Sequence, residues 1–364
     1  MDFYTITDAI ELGKYGENMI RIIFIGRYLG VASLAGARTP AAPENANTNS
    51  NTCNNVPGLV VQQLEVCRDH PESLLCIKNG AKMGIYECQR QFRYERWNCT
   101  TSKNYTVFGE VLRKGTKETA FIYAVLSAGV VYAVTEACSA GNITDCTCDM
   151  SRHGEHSVDG WKWGGCSDNV KYGITFSKTF VDAPETLKHQ SSLNIRNKMN
   201  LHNNEVGRRV VEHLMAVKCR CHGVSGSCAV QTCWKSLPKF RIVGNALKAK
   251  YEQSVRVARR SRRKLRRREK NGKRRTPVSS DDMVFVHRSP NYCKPNPKKG
   301  ILGTNNRLCN KTSHGAEGCD LLCCGRGYNT QVVRHTSRCH CKFVWCCFVK
   351  CKTCETVIDR HTCK

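Results

Sequence analysis

The sequence predicts an α+β protein, with a helical amino-terminal domain followed by a disulfide-rich carboxyl-terminal domain of short strands and hairpins. Three observations carry this. Between Pro57 and about Val217, apolar residues recur at three- and four-residue steps, the period of a helix with one buried face. From Cys293 onward, short apolar runs alternate with glycines, and twelve of the 25 cysteines fall there. A segment so dense in cysteine relies on cross-links rather than on an apolar core. Between these regions, residues 256–275 hold thirteen Lys or Arg against the single Glu269. Like charges at that density repel one another and predict a solvated linker. The expected organisation is a leader at 1–52, a helical domain at 53–255, a basic linker at 256–290 and a cysteine-rich domain at 291–364.

Taken in order, the leader comes first. Asp2, Asp8, Glu11 and Glu17 precede the apolar stretch Met19–Leu29, which Arg21 and Arg27 interrupt. A clear signal peptide has a basic start and an unbroken apolar run, so this amino terminus is an atypical one. The Ala-rich stretch Val31–Ala42 is its candidate cleavage region, and an Asn-rich stretch follows at 45–55. Leu74, Ile77, Ala81, Ile85 and Cys88 then mark one face of a first long helix. Thr119–Thr135 runs seventeen residues without a charge. That is at the short limit for crossing a bilayer, and its Ala, Gly, Ser and Tyr content predicts a buried core helix instead. Val170–Phe180 and Leu201–Val217 are the next helices. Between them lie cysteine loops, at Cys138–Cys148 and at the turn Trp161-Lys162-Trp163-Gly164-Gly165-Cys166.

Composition selects the compartment. Twenty-five cysteines in 364 residues is far above ordinary intracellular usage and implies an oxidising route, hence a secreted chain. Asn-x-Ser/Thr sequons at Asn98, Asn104, Asn142 and Asn310 agree with secretion. The net charge of +27 calls for anionic partners. For an oxidised extracellular protein these are sulfated glycans rather than nucleic acid.

Two arrangements point to function. From Cys219 the chain reads Cys-Arg-Cys-His-Gly-Val-Ser-Gly-Ser-Cys, and Cys233 follows. Cysteines at both ends can close two nested loops, and Gly223 and Gly226 flank Ser225 at the apex. Glycines there let the backbone turn sharply. A hydrolase elbow needs Gly-x-Ser-x-Gly, and Ser227 occupies its last position. No base set accompanies the serine beyond His222. The pattern therefore predicts a serine that is modified, not one that attacks, and the chain is not expected to be an enzyme. The second arrangement spans 339–354, where Cys339 with Cys354 and Cys341 with Cys351 nest around a hairpin. Cys346 and Cys347 are left at its tip, among Phe343, Val344, Trp345, Phe348 and Val349. A finger this narrow cannot bury those side chains, so the tip is a candidate contact site.

With both arrangements in view, the chain from about Cys53 onward resembles the Wnt family of secreted, lipid-modified morphogens. The resemblance runs through Glu95-Arg96-Trp97-Asn98-Cys99, Gly115-Thr116-Lys117-Glu118-Thr119-Ala120-Phe121 and Trp163-Gly164-Gly165-Cys166-Ser167-Asp168. It continues through Asn200-Leu201-His202-Asn203-Asn204-Glu205, Cys219 to Cys228, and Cys323-Cys324-Gly325-Arg326-Gly327-Tyr328. It implies that Ser225 carries a monounsaturated fatty acyl ester, added by the acyltransferase Porcupine, and that the carrier Wntless takes the product outward. No other cofactor is implied. The acylated loop 219–233, called the thumb, would enter the Frizzled cysteine-rich domain with Val224 and Ser225. The finger, with Phe343, Trp345, Cys346, Cys347 and Phe348, would grip that domain's other side. Low-density-lipoprotein-receptor-related proteins would be co-receptors, and heparan sulfate proteoglycans would hold the ligand in the extracellular matrix. The arginines for the glycan would be Arg259, Arg260, Arg262, Arg263, Arg266, Arg267 and Arg268.

The family's pairing, carried over by position, implies Cys53–Cys67, Cys88–Cys99, Cys138–Cys146 and Cys148–Cys166 in the helical domain, and Cys219–Cys233 and Cys221–Cys228 in the thumb. In the carboxyl-terminal domain it implies Cys293–Cys324, Cys309–Cys319, Cys323–Cys363, Cys339–Cys354, Cys341–Cys351 and Cys346–Cys347. Cys76 is left over, on an apolar helix stripe, as a buried free thiol. A zinc-binding, nucleic-acid-contacting protein would need evenly repeated ligand spacing, which the sequence does not contain.

Overall fold

The structure is a computed structural model and describes residues 53, 56, 58–100, 108–157, 160–186, 194–258, 264–268 and 276–364. The leader, the Asn104 sequon and Arg259, Arg260, Arg262 and Arg263 lie outside these residues. The chain divides into two compact units, one of residues 1–91 with 99–289 and one of Phe92–Asn98 with Pro290–Lys364.

The first unit is built on helices α1 (Val61–Asp69), α2 (Ser73–Gln91), α3 (Lys117–Ser139), α4 (Val170–Val181), α5 (Ile195–His213) and α6 (Phe240–Glu252). Helix α3 is long and apolar enough to cross a membrane by length and composition. Here it is instead the central core helix, buried along nearly its whole length. Helix α2 turns Leu74, Ile77 and Ala81 onto Val130 and Val134 of α3, and Phe176 and Phe180 of α4 close the same core. The backbones of α2 and α3 approach so closely that a Cβ at Gly129 would collide with the Gly80 carbonyl. Cys76 is buried on this stripe with its thiol free, and burial pushes the thiol's pKa up.

Helix α5 differs from the expected span 201–217 at both ends. Asn194 caps it by accepting a hydrogen bond from the Asn197 amide at 2.9 Å, which starts the helix six residues earlier. Its far end yields at His213, and the chain continues as strand β2 (Ala216–Cys221). The Asn200–Glu205 stretch is a buried polar layer. Asn200 donates to Glu185 at 2.9 Å, where Tyr123 also donates at 3.0 Å. Arg208, almost fully buried, binds Asp182 with two nitrogens at 3.1 and 2.8 Å. Burial pushes the Asp182 carboxyl up even against that guanidinium.

In its described residues, 256–258 and 264–268, the basic segment is not the free linker that its charge predicts. Strand β4 (Val255–Arg256) pairs in parallel with β5 (Val284–Phe285). Beyond β4, the Ala258 and Arg268 amides bond to the Arg266 and Arg256 carbonyls at 3.0 and 2.8 Å. Arg267 pairs with Asp282 at 2.7 Å, and Leu265 packs against the buried cluster of Val257, Val284 and Val286. The repulsion is overcome because backbone pairing, one carboxylate and a leucine anchor the described part of the segment. It belongs to the first unit.

The second unit also departs from the expected boundaries by including Phe92–Asn98. Arg307 explains why. Its guanidinium donates to the Glu95, Arg96 and Arg93 carbonyls at 2.5, 3.0 and 2.9 Å, and Trp97 is buried beside Phe92 and Tyr292. Strands β6 (Leu308–Cys309), β7 (Tyr328–Val344) and β8 (Phe348–Cys363) form a sheet in the order β6-β8-β7. A small core of Leu322, Cys319, Cys323 and Cys363 sits at its base. That little apolar material makes the cross-links decisive.

Candidate functional site

The thumb starts from a three-stranded sheet. Strand β2 runs antiparallel to β3 (Gln231–Ser236), and the short β1 (Lys162–Trp163) lies parallel on β3's other side. Cys219 and Cys233 are cross-strand partners and form a disulfide, and Cys221–Cys228 closes the smaller loop above it. His222 donates its amide to the Val230 carbonyl at 2.7 Å, and Gly223 donates to Ser227 at 2.8 Å. Above that rung the backbone makes a single tight turn. Gly226 donates to Gly223 at 2.9 Å and Ser227 to Val224 at 3.1 Å. Gly223 is required because a Cβ there would run into Ser227.

Ser225 itself adopts the left-handed conformation, at φ 58° and ψ 26°. This region is unusual for a residue with a Cβ and is held only where surroundings impose it. Here two disulfides and three backbone bonds do so. The side chain is exposed, and its hydroxyl has no hydrogen-bond partner among the described residues. Val224 beside it is 90% exposed. The apex thus presents a free primary hydroxyl next to an uncovered apolar side chain, on a loop too short to fold either away.

The buttress of this loop went unread as such in the sequence. Trp163 pairs with Cys233, and Gly164 donates to the Cys233 carbonyl at 3.0 Å. Ser167 accepts from the Lys235 amide at 3.1 Å, and Asp168 accepts from the Leu237 amide at 2.6 Å. Ser139 of α3 donates to the same carboxylate, and Cys148–Cys166 fixes the turn covalently. The Trp163–Asp168 motif is therefore the brace that ties β3 to the core helix. The paired glycines following a tryptophan were the signal, since they allow a strand to be approached closely.

The finger is the outer part of the β7–β8 ribbon. Cys339–Cys354 and Cys341–Cys351 cross-link it, and the register shifts between Cys339 and Lys342, where a bulge admits one extra residue. Val344 and Phe348 are the last partners, leaving Trp345-Cys346-Cys347 as the turn. Trp345 is 91% exposed, with Phe343 and Phe348 also well exposed. The expected Cys346–Cys347 bond is not formed. Both thiols are free and exposed, with sulfurs 3.1 Å apart. Neighbouring residues bring their sulfurs into bonding range only by distorting the backbone, and here both residues take a positive φ, 64° and 95°, without closing the bond.

The other eleven pairs implied by resemblance are bonded as written. Among the sequons, Asn142 and Asn310 are exposed and Asn98 is half-buried. Among the described arginines of the basic segment, Arg266 and Arg268 are exposed, whereas Arg267 is held by Asp282.

Comparison with known proteins gives a consistent answer. The Wnt family model matches residues 55–364. Protein Wnt-16 of Mus musculus is 52% identical over 345 residues, covering 93% of this chain and 91% of the relative. Protein Wnt-16 of Bos taurus is 51% identical over 343 residues, with the same coverage. These identities support the Wnt-16 branch, to which the middle of the sequence and its basic segment also point. A chain of the solved complex of human WLS with WNT8A has a TM-score of 0.59 and 37% identity, covering 82% of this chain and 94% of that one.

Proposed function

The chain belongs to the Wnt family of signalling ligands, and on that premise we propose that it is a secreted morphogen that carries a monounsaturated fatty acyl ester on Ser225. The observation that carries this reading is the apex geometry, a lone exposed hydroxyl held in a left-handed turn by two disulfides. An acyltransferase needs the acceptor oxygen presented clear of the surface, and this loop presents one. Porcupine is the acyltransferase of this reading. The WNT8A relative was solved with WLS, which supports Wntless as the carrier here.

At the target cell the acyl chain and Val224 enter the Frizzled cysteine-rich domain. Burial contributes about 0.8 kcal/mol per CH₂, so the chain itself is the main source of affinity. The rigid loop lowers the ordering cost of docking. The finger makes the second contact through Phe343, Trp345, Cys346, Cys347 and Phe348. Low-density-lipoprotein-receptor-related co-receptors complete the signalling complex, and heparan sulfate retains the ligand outside the cell.

Intact mass of the secreted protein, before and after hydroxylamine, tests the reading. A mass loss matching one monounsaturated acyl group, localised by peptide mapping to 219–233, is the expected result. Active protein with no ester-linked mass would overturn it.

A further inference from the structure

The finger carries a second chemical feature besides its aromatic tip. From Arg338 to Cys354 there are four cations, Arg338, Lys342, Lys350 and Lys352, and no Asp or Glu. All four are exposed. Lys342 and Lys350 are direct cross-strand partners, a like-charge pairing that disfavours the sheet. Among the described residues, neither has a carboxylate partner. Lys352 lies two residues from Lys350 on the same strand, so their side chains share a face.

This collar stands a short way behind the apolar turn. Lys342 lies three residue steps from Trp345, about 10 Å of extended chain. Interfacial segments bury their apolar face by roughly 5–10 Å in a bilayer, with lysines held at headgroup level. Tryptophan is the side chain most at home at that boundary, having a large apolar ring and one polar N–H. The two cross-links keep the aromatic end from folding back onto the ribbon.

We propose that the finger tip is a membrane-surface anchor. Trp345, Phe343 and Phe348 enter the boundary between headgroups and acyl chains of a phospholipid bilayer, and Lys342, Lys350 and Lys352 meet the phosphates. The lysine pair is then relieved by anions that the protein itself does not supply. A soluble sulfated glycan would satisfy the lysines but would leave the aromatic turn in water, and for that reason the bilayer is the better match. The anchor goes beyond the receptor reading: the same tip residues serve both, as alternative engagements, and only the Ser225→Ala arm of the test rests on the acylation reading.

The test uses the full secreted chain on vesicles of phosphatidylcholine with about one-fifth phosphatidylserine, with no receptor present. An acyl chain on the thumb would hold every variant on the vesicles, so the readout is confined to Trp345. The parent's emission minus that of Trp345→Phe gives the Trp345 signal, and brominated lipids report its depth. We expect this difference signal to shift to the blue and to be quenched by lipid brominated near the headgroup. In Lys342→Gln/Lys350→Gln/Lys352→Gln, the quenching should fall severalfold. In the Ser225→Ala background, where no acyl ester remains, Trp345→Ala should lower vesicle partitioning by about tenfold or more. An unshifted, unquenched difference signal overturns the proposal. So does a lysine variant that loses heparin retention while Trp345 in the parent stays unquenched, because the collar would then be a glycan site alone.

Discussion

Asn203 grips Val284 from both sides of its peptide. The Asn203 amide nitrogen donates to the Val284 carbonyl at 2.9 Å, and the Val284 amide donates back to the Asn203 side-chain oxygen at 2.9 Å. Strand β5 turns its neighbouring groups the other way: the Val255 amide bonds to the Met283 carbonyl and the Val257 amide to the Phe285 carbonyl, each at 2.8 Å. The Asn203 carboxamide therefore stands where a third strand would be. The Asn200–Glu205 motif is an anchor for the chain returning from the basic segment.

Asn203→Ala should leave a buried amide and a buried carbonyl unpaired. Each unmet group costs about 1–3 kcal/mol, so unfolding should be easier by roughly 2–6 kcal/mol. Denaturant midpoints of the parent and variant measure this. Asn203→Asp keeps the acceptor but sets a second oxygen against the Val284 carbonyl in a fully buried site, and it should be at least as destabilising as Asn203→Ala.

His202, the adjacent residue, sets a pH dependence. Burial lowers its pKa, against the Asp282 carbonyl that its ring nitrogen contacts at 2.8 Å. The folded state resists protonation while the unfolded chain takes up a proton near the ordinary histidine value of about 6.5. Stability is therefore full above that pH and declines as pH falls from about 6.5 toward the lowered folded value. His202→Gln, which keeps an amide donor and cannot titrate, should flatten the decline in thermal midpoint across that window relative to the parent.

Ser225→Ala should yield protein without ester-linked mass, poorly exported and inactive in a signalling reporter. Ser227→Ala should retain both lipid and activity, because Ser227 contributes its backbone to the turn and lies outside the left-handed apex. A lipid found on Ser227 would reverse the assignment.

Trp345→Ala should weaken binding to the Frizzled cysteine-rich domain more than tenfold, with acylation and secretion unchanged. Truncating an exposed aromatic anchor costs about 2 kcal/mol or more when it is an interface hot spot. Surface-plasmon measurements on acylated parent and variant give the comparison. Equal affinities would leave the lipid as the sole grip.

Arg266→Gln with Arg268→Gln should lower the salt needed to elute the protein from heparin, because both side chains are exposed cations. Arg267→Gln should change elution less, since Asp282 already engages that charge. It should instead loosen the turn that Asp282 closes on Ser279.

The two-part architecture was legible because its signals are local. Leu74 through Cys88 announce a helix by spacing alone, and the charge-free run from Thr119 belongs to the core helix it predicts. The thumb was legible for the same reason, since Gly223, Gly226 and four cysteines lie within fifteen residues. What the sequence hid depends on distant partners. Nothing near Arg267 reveals Asp282, and nothing near Glu95 reveals Arg307. Neither the anchoring of the described basic residues nor the membership of Phe92–Asn98 in the second unit could therefore be read, although the expected start of that domain at 291 lies one residue from the observed Pro290. The Trp163–Asp168 brace shows in the sequence only as paired glycines after a tryptophan, because its acceptors serve backbone amides of β3 and the following turn, about seventy residues away. The Cys346–Cys347 bond came with the resemblance and not from spacing, since adjacent Cα atoms lie nearer together than an ordinary disulfide prefers.

The capture of Phe92–Asn98 by Arg307 has a consequence for biosynthesis. This seven-residue stretch leaves the ribosome some two hundred residues before the side chain that completes it. Meanwhile Cys88–Cys99, which brackets it, can already be oxidised. The nascent chain must therefore carry an unfinished loop, with Trp97 still uncovered, through the synthesis of the whole intervening helical unit. A lumenal chaperone that binds aromatic segments would have its longest opportunity there. Premature release should leave an early-folded amino-terminal half with one exposed tryptophan loop, and a carboxyl-terminal fragment made alone would lack part of its own core.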